Sequence, residues 1–130
     1  MIAHYTQAGM AMEAQRLAWP ASTQSLPTSA MQEDHVSNGW AAARKLRRSV
    51  DALRRVLTVE LVAGAAAIDL RAPLQPGPGT GAAVAAVRSA VAGPGPDRYL
   101  SPELLGVEAA LADGSLLAAA ESTIGELEVL

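Results

Sequence analysis

The stretch EDHVSNGWAAARKLRRSVDALRRVLTVELVAGAAAIDL, residues 33–70, decides the fold. It holds no proline, and only Gly39 and Gly64 interrupt its helix formers. Val36, Trp40, Ala43, Leu46, Val50, Leu53, Leu57, Leu61, Gly64 and Ile68 recur in steps of three and four, the spacing of one helix face. The pattern predicts a single long helix over 33–71. At 1.5 Å per residue it would run roughly 55 Å, longer than a globule of this chain length is wide. A helix of that length leans on something beyond its own chain.

Its two halves differ. Arg44, Lys45, Arg47, Arg48, Arg54 and Arg55 carry six of the ten basic residues, relieved only by Asp51 at the i,i+4 distance from Arg47 and Arg55. From Val56 to Leu70 the helix is apolar nearly all round, with Glu60 and Asp69 its only charges. An all-round apolar helix is buried on every side. The remainder of a 130-residue chain can hardly surround it, so other subunits or a further part of the protein are expected to do so. Glu60, alone on that half, is expected to be a buried charge with a partner, because an unpaired one is costly.

Outward from this segment the chain remains helical in character. Residues 1–19 place Ile2, Tyr5, Ala8, Met12 and Leu17 on one stripe, which Pro20 ends. That helix opens without a capping residue of its own, which points to a chain that begins inside a longer parent. Residues 20–32 carry the Ser, Thr and Pro of a loop, and 72–80, with Pro73, Pro76, Gly77, Pro78 and Gly79, read as a linker. Short helices are expected across 81–130. The first is entered through Thr80. The second has Ser101 as N-cap and Pro102 at its first position, and the third is started by Ser115. The acids of this tail, Asp97, Glu103, Glu108, Asp113, Glu121, Glu126 and Glu128, face only Arg98.

Composition agrees with an all-α fold of one very long helix and shorter packed ones. Hydrophobic residues make up 50% against 18% charged, with net charge −3, which excludes generic disorder. There is no Phe, and Trp19, Trp40, Tyr5 and Tyr99 are the only aromatic rings of that class, so the apolar half is mostly Ala, Leu and Val. Such a core comes from closely packed helices, since sheets need β-branched and aromatic residues to fill a face. With no cysteine, disulfides, thiolate metal sites and cysteine nucleophiles are all excluded. The N-terminus lacks a signal-peptide pattern and no apolar run reaches ~18 residues, so the expectation is a cytoplasmic protein with no membrane partner.

Several motifs invite chemistry. Gly77-Pro78-Gly79-Thr80-Gly81 faintly resembles a phosphate loop, but no strand precedes it and no lysine follows, which favours a helix entrance. The basic run 44–55 has neither a turn-helix partner nor interleaved aromatics, and with net charge −3 a solvated or subunit-facing charged face is favoured over nucleic acid. His4 and His35 have no partner at ligand spacing, so no metal site is expected. Beside His35 stand Glu33 and Asp34. Taken alone they are acids at a helix N-terminus, where the macrodipole favours them, or a carboxylate aimed into a pocket as an amine ligand or proton acceptor.

The residues Ser25-Leu26-Pro27-Thr28-Ser29-Ala30-Met31-Gln32-Glu33-Asp34-His35-Val36-Ser37, followed by Ala41-Ala42-Ala43-Arg44-Lys45-Leu46, closely resemble the histidine ammonia-lyases. The resemblance continues through Arg55-Val56-Leu57, Ile68-Asp69-Leu70-Arg71, Gly77-Pro78-Gly79-Thr80 and, weakly, Leu100-Ser101-Pro102-Glu103. It implies the C-terminal helical portion of an all-helical homotetramer that converts histidine to urocanate and ammonia in active sites shared between subunits. It also implies that Glu33 is catalytic and lies near the substrate amine, that Gln32 supports the same substrate-binding network, and that the long helix belongs to the tetramer core. The family's electrophile is a methylidene-imidazolone made from an internal Ala-Ser-Gly, and this chain has no such tripeptide. It also carries Trp19 before Pro20-Ala21-Ser22 where the family has His, Asn38 in place of Met, and Ala66 where Gln is common.

Two functional expectations follow. In the first, the chain is the C-terminal portion of a histidine ammonia-lyase and is inactive alone for want of the electrophile. In the second, it is a non-catalytic helical oligomerisation module, or the partner of a separate lyase half.

Overall fold

The computed structural model describes residues 1–23, 25–33 and 35–128. Five helices form among them and no strand: α1 (Ile2–Ala18), α2 (Gly39–Asp69), α3 (Pro78–Arg88), α4 (Ser101–Ala112) and α5 (Ser115–Ile124). The chain divides into two compact units, Met1–Val56 and Leu57–Leu130.

In the first unit α1 runs antiparallel to the start of α2. Gln7 Nε2 donates to the Val56 carbonyl at 3.4 Å, Glu13 pairs with Arg48 at 3.1 Å, and Lys45 Nζ donates to the Trp19 carbonyl. As the position along α1 advances, the partner position on α2 recedes. The buried residues are Leu17 and Ala52. The covered face of α1 follows Ala3, Gln7, Met10, Ala14 and Leu17, not the expected stripe, whose Ile2, Tyr5 and Met12 face outward. Both sets of positions satisfy helical spacing, and only the partner's position selects between them.

The long helix starts at Gly39 rather than at Glu33. Residues 29–31 hold positive φ angles of 52°, 54° and 67°, and the backbone groups of Glu33 and Val36 are bonded to Thr28 and Ser25, which removes them from any helix. Asn38, at φ 54°, makes the last reversal; its carbonyl accepts the Ala42 N–H at 3.0 Å, and Ser37 Oγ accepts the Gly39 N–H at 3.3 Å. The 31 residues of α2 span about 46 Å. Asp51 pairs with Arg54 at 3.0 Å, a spacing of three.

The second unit packs the later part of α2 with α3, α4 and α5. Its core is Ala65, Val87, Val91, Val107 and Leu116, flanked by Leu61, Val62, Val84, Ala86, Ala90, Ala110 and Leu111. These small side chains let backbones approach closely. A Cβ on Gly106 would lie 3.1 Å from Ala90 Cβ, and one on Gly79 would lie 3.0 Å from Ile124 Cδ1. The expected linker ends early, since α3 opens at Pro78, whose missing N–H costs nothing at the first helical position. Ser101 is the first residue of α4, not its cap; Leu100 holds that place, with no side-chain hydrogen bond. Gly114, at φ 81°, reverses the chain between α4 and α5, and Gly125, at φ 86°, ends α5.

An ion pair and hydrogen bonds to the Ala92 backbone close the connection between α3 and α4. Arg88 Nη1 donates to the Ala92 carbonyl, Arg98 binds Glu103 at 2.6 Å, and Glu103 Oε2 accepts the Ala92 N–H at 3.0 Å. The Arg98 guanidinium holds the Glu103 carboxyl below the ordinary carboxylate range against the opposing effect of desolvation.

Candidate functional site

Glu33 lies in a backbone clamp and not in a helix. Thr28 and Glu33 exchange both backbone hydrogen bonds, at 2.9 and 3.2 Å, across the left-handed turn 29–31, and the Gln32 N–H reaches the Ser29 carbonyl at 3.1 Å. On the far side of Glu33, Ser25 Oγ accepts the Val36 N–H at 2.8 Å and donates to the Val36 carbonyl at 3.3 Å. Ser22 Oγ donates to the Ser37 carbonyl at 2.6 Å. Hydroxyl-bearing residues at 22, 25 and 28 thus grip 37, 36 and 33 in antiparallel order.

The clamp puts Gln32 and Glu33 side by side on an exposed turn. A carboxylate there can bind an ammonium group through charge-assisted hydrogen bonds and can accept a proton. It does not sit at a helix start, so the macrodipole has no part in its placement. Asp34 lies outside the described residues. His35 is exposed in the same segment, and His4 lies on α1, where its ring is tilted against Tyr5. No group of residues able to hold a metal ion occurs among the described residues.

The remaining motifs resolve into structure. Gly77 precedes α3 and Pro78 begins it, while Gly79 leaves room for Ile124, so the glycine-rich run is a helix entrance. In the basic run, Arg48 and Arg54 engage acids and Lys45 the Trp19 carbonyl, while Arg44 and Arg47 face solvent. Glu60 departs from expectation. It is exposed and without an ion pair among the described residues, at the edge of an apolar groove formed by Leu57, Leu61, Gly64 and Ile68 of α2 and Val84 of α3. Within its unit no described residue covers it. The serine clamp was not anticipated; its sole trace in the sequence is the three-residue spacing of Ser22, Ser25 and Thr28.

A family model described as aromatic amino acid lyase matches residues 1–89. The chain belongs to this family. Among aromatic amino acid lyases, the histidine ammonia-lyase of Streptomyces avermitilis is 56% identical over 128 residues, covering 98% of this chain and 25% of that protein. The corresponding enzyme of Streptomyces coelicolor is 59% identical over the same length and shares. The crystal structure of histidine ammonia-lyase from Trypanosoma cruzi superposes with a TM-score of 0.89 at 30% identity, over 100% of this chain and 28% of that one. The chain therefore spans about a quarter of the length of the curated relatives it matches. The all-α fold is that of the lyase family, and no helix among the described residues is long and apolar enough to cross a membrane.

Proposed function

We propose that this chain is the C-terminal part of a cytoplasmic lyase that removes ammonia from L-histidine to give urocanate, a step in histidine breakdown. The observation that carries the proposal is the 56% and 59% identity to histidine ammonia-lyases across 98% of the chain. Glu33 is assigned to the substrate amine, where its carboxylate holds the ammonium group or takes its proton, and Gln32 is assigned to the surrounding polar network. The clamped, exposed turn supports this assignment, because it offers both side chains to a ligand from outside the chain.

The family's methylidene-imidazolone has no precursor here: the sequence lacks Ala-Ser-Gly, so none of its residues fits that group. When bound, such a group supplies the electrophile, and in this proposal it comes from the rest of the lyase. The chain by itself is inactive. The outward apolar row on α2 supports assembly with that remainder and with further copies in a homotetramer, since Trp40, Leu46, Val50 and Leu53 are exposed.

The test uses the complete enzyme that contains this chain, with L-histidine as substrate and urocanate absorbance as readout. Glu33→Gln is expected to cut turnover by roughly two orders of magnitude while leaving the melting temperature nearly unchanged. An unchanged rate would leave Glu33 with a purely structural part. Urocanate produced by the purified chain alone would overturn the expected inactivity.

A further inference from the structure

We infer that Ser25 is a positioning residue, acting on the substrate through the backbone that carries Glu33. The inference rests on the assignment of Glu33 to the substrate amine.

Glu33 has no helix or sheet to hold it. Its neighbours Ser29, Ala30 and Met31 occupy left-handed φ, a strained conformation for L-residues that persists only where surrounding contacts over-determine it. Three grips do this, of which two flank Glu33 most nearly. On the upstream side Thr28 and Glu33 pair through their backbones. On the downstream side Ser25 uses a side chain where a strand would use backbone: its hydroxyl accepts the Val36 N–H and donates to the Val36 carbonyl. Only residues 34 and 35 separate that grip from Glu33. With the Ser25 grip gone, the next hold downstream is Ser22 Oγ on the Ser37 carbonyl, so the segment between Glu33 and Ser37 gains freedom, and a displacement near 1 Å at a reacting group can cost about a hundredfold in rate.

Ser25 is itself exposed, so its role separates cleanly from stability. Water can satisfy the Val36 groups once the hydroxyl is removed, which keeps the folding penalty small, but water does not fix the backbone in place.

The test measures urocanate formation by the complete enzyme that contains this chain, with Ser25→Ala, Ser25→Thr, Glu33→Gln and the Ser25→Ala/Glu33→Gln double variant. Ser25→Ala is expected to lower kcat roughly tenfold or more with the melting temperature almost unmoved. Ser25→Thr keeps the hydroxyl and is expected to retain most of the rate. In the Glu33→Gln background, Ser25→Ala should cost less than about twofold further, because its effect passes through Glu33. Full multiplicative loss in that background would show that Ser25 acts elsewhere. A collapse of the melting temperature that Ser25→Thr does not rescue would make it a structural residue. If Glu33→Gln lowers the rate and Ser25→Ala does not, the positioning role alone falls. If neither lowers it, the assignment of Glu33 falls too.

Discussion

Arg88 Nε donates to Asp69 Oδ2 at 2.8 Å, joining the last residue of α2 to the last residue of α3. Both side chains are largely shielded, at 18% and 33% exposure. The same guanidinium reaches the carbonyls of Val91 and Ala92, so it also ties down the segment that follows α3. A charged hydrogen bond of this kind is worth about 1.5–3 kcal/mol. Asp69→Ala and Arg88→Ala are each expected to destabilise the chain by roughly that amount, and less than additively when combined. Denaturant midpoints of the three variants check this, and full additivity would mean the two residues act separately.

Two helical glycines should respond in opposite directions to the same substitution. Gly64 has open space where a Cβ would stand, with no neighbour within 4 Å, whereas at Gly106 the new methyl would meet Ala90 Cβ at 3.1 Å, a neighbour with no flexible end to move aside. Gly64→Ala should gain roughly 0.5–1 kcal/mol from helix propensity. Gly106→Ala should lose stability, because overpacking at about 1–3 kcal/mol outweighs that gain. Thermal unfolding of both variants decides it, and a stabilised Gly106→Ala would mean the two backbones part freely.

Acid should weaken the chain in a definable window. The Arg98 guanidinium depresses Glu103, Arg16 depresses Glu13, and the Ser115 side chain and N–H depress Asp113. Each folded-state value lies below its unfolded value, so around those values the unfolded chain binds more protons and stability rises with pH. The contribution is complete above the ordinary carboxylate value near 4 and is lost as pH falls through the depressed values. Denaturation midpoints between about pH 5 and pH 3 should therefore decline, and Arg98→Ala should shallow the decline. An identical slope in that variant would remove Glu103 as a contributor.

The exposed row on α2 should make the isolated chain associate. Trp40 is 79% exposed and Leu46 66%, and Val50 and Leu53 continue the row. Binding of a hydrophobic dye and a mass above the monomer in light scattering are expected, and Leu46→Glu with Leu53→Glu should reduce both. A monodisperse monomer that binds no dye would show that water alone suffices to cover the row.

Much of the fold was legible because its causes are local. Pro20 ends α1 by denying the helical region to the residue before it, and a proline-free run of helix formers, broken only by Gly64, carries α2 to Asp69. The start of α2 was not legible. It depends on hydroxyl and backbone bonds between 22 and 37, 25 and 36, and 28 and 33, and no propensity at 33–38 announces partners five to fifteen residues away. Glu60 failed expectation for a related reason: burial was inferred from its apolar neighbours along the helix, while the groove it borders is open among the described residues of its unit.

The sequence by itself determined helix content, the places where prolines and glycines break it, and the block around Gln32 and Glu33 that carries the family resemblance. These are properties of dihedral preference and residue identity, which act at short range. Tertiary structure alone decided which face of α1 is covered, which acid each arginine takes, and that Glu33 rides on a serine-held turn instead of a helix end. Those choices are made between alternatives of equal local merit, and the partner brought near from elsewhere in the chain selects one.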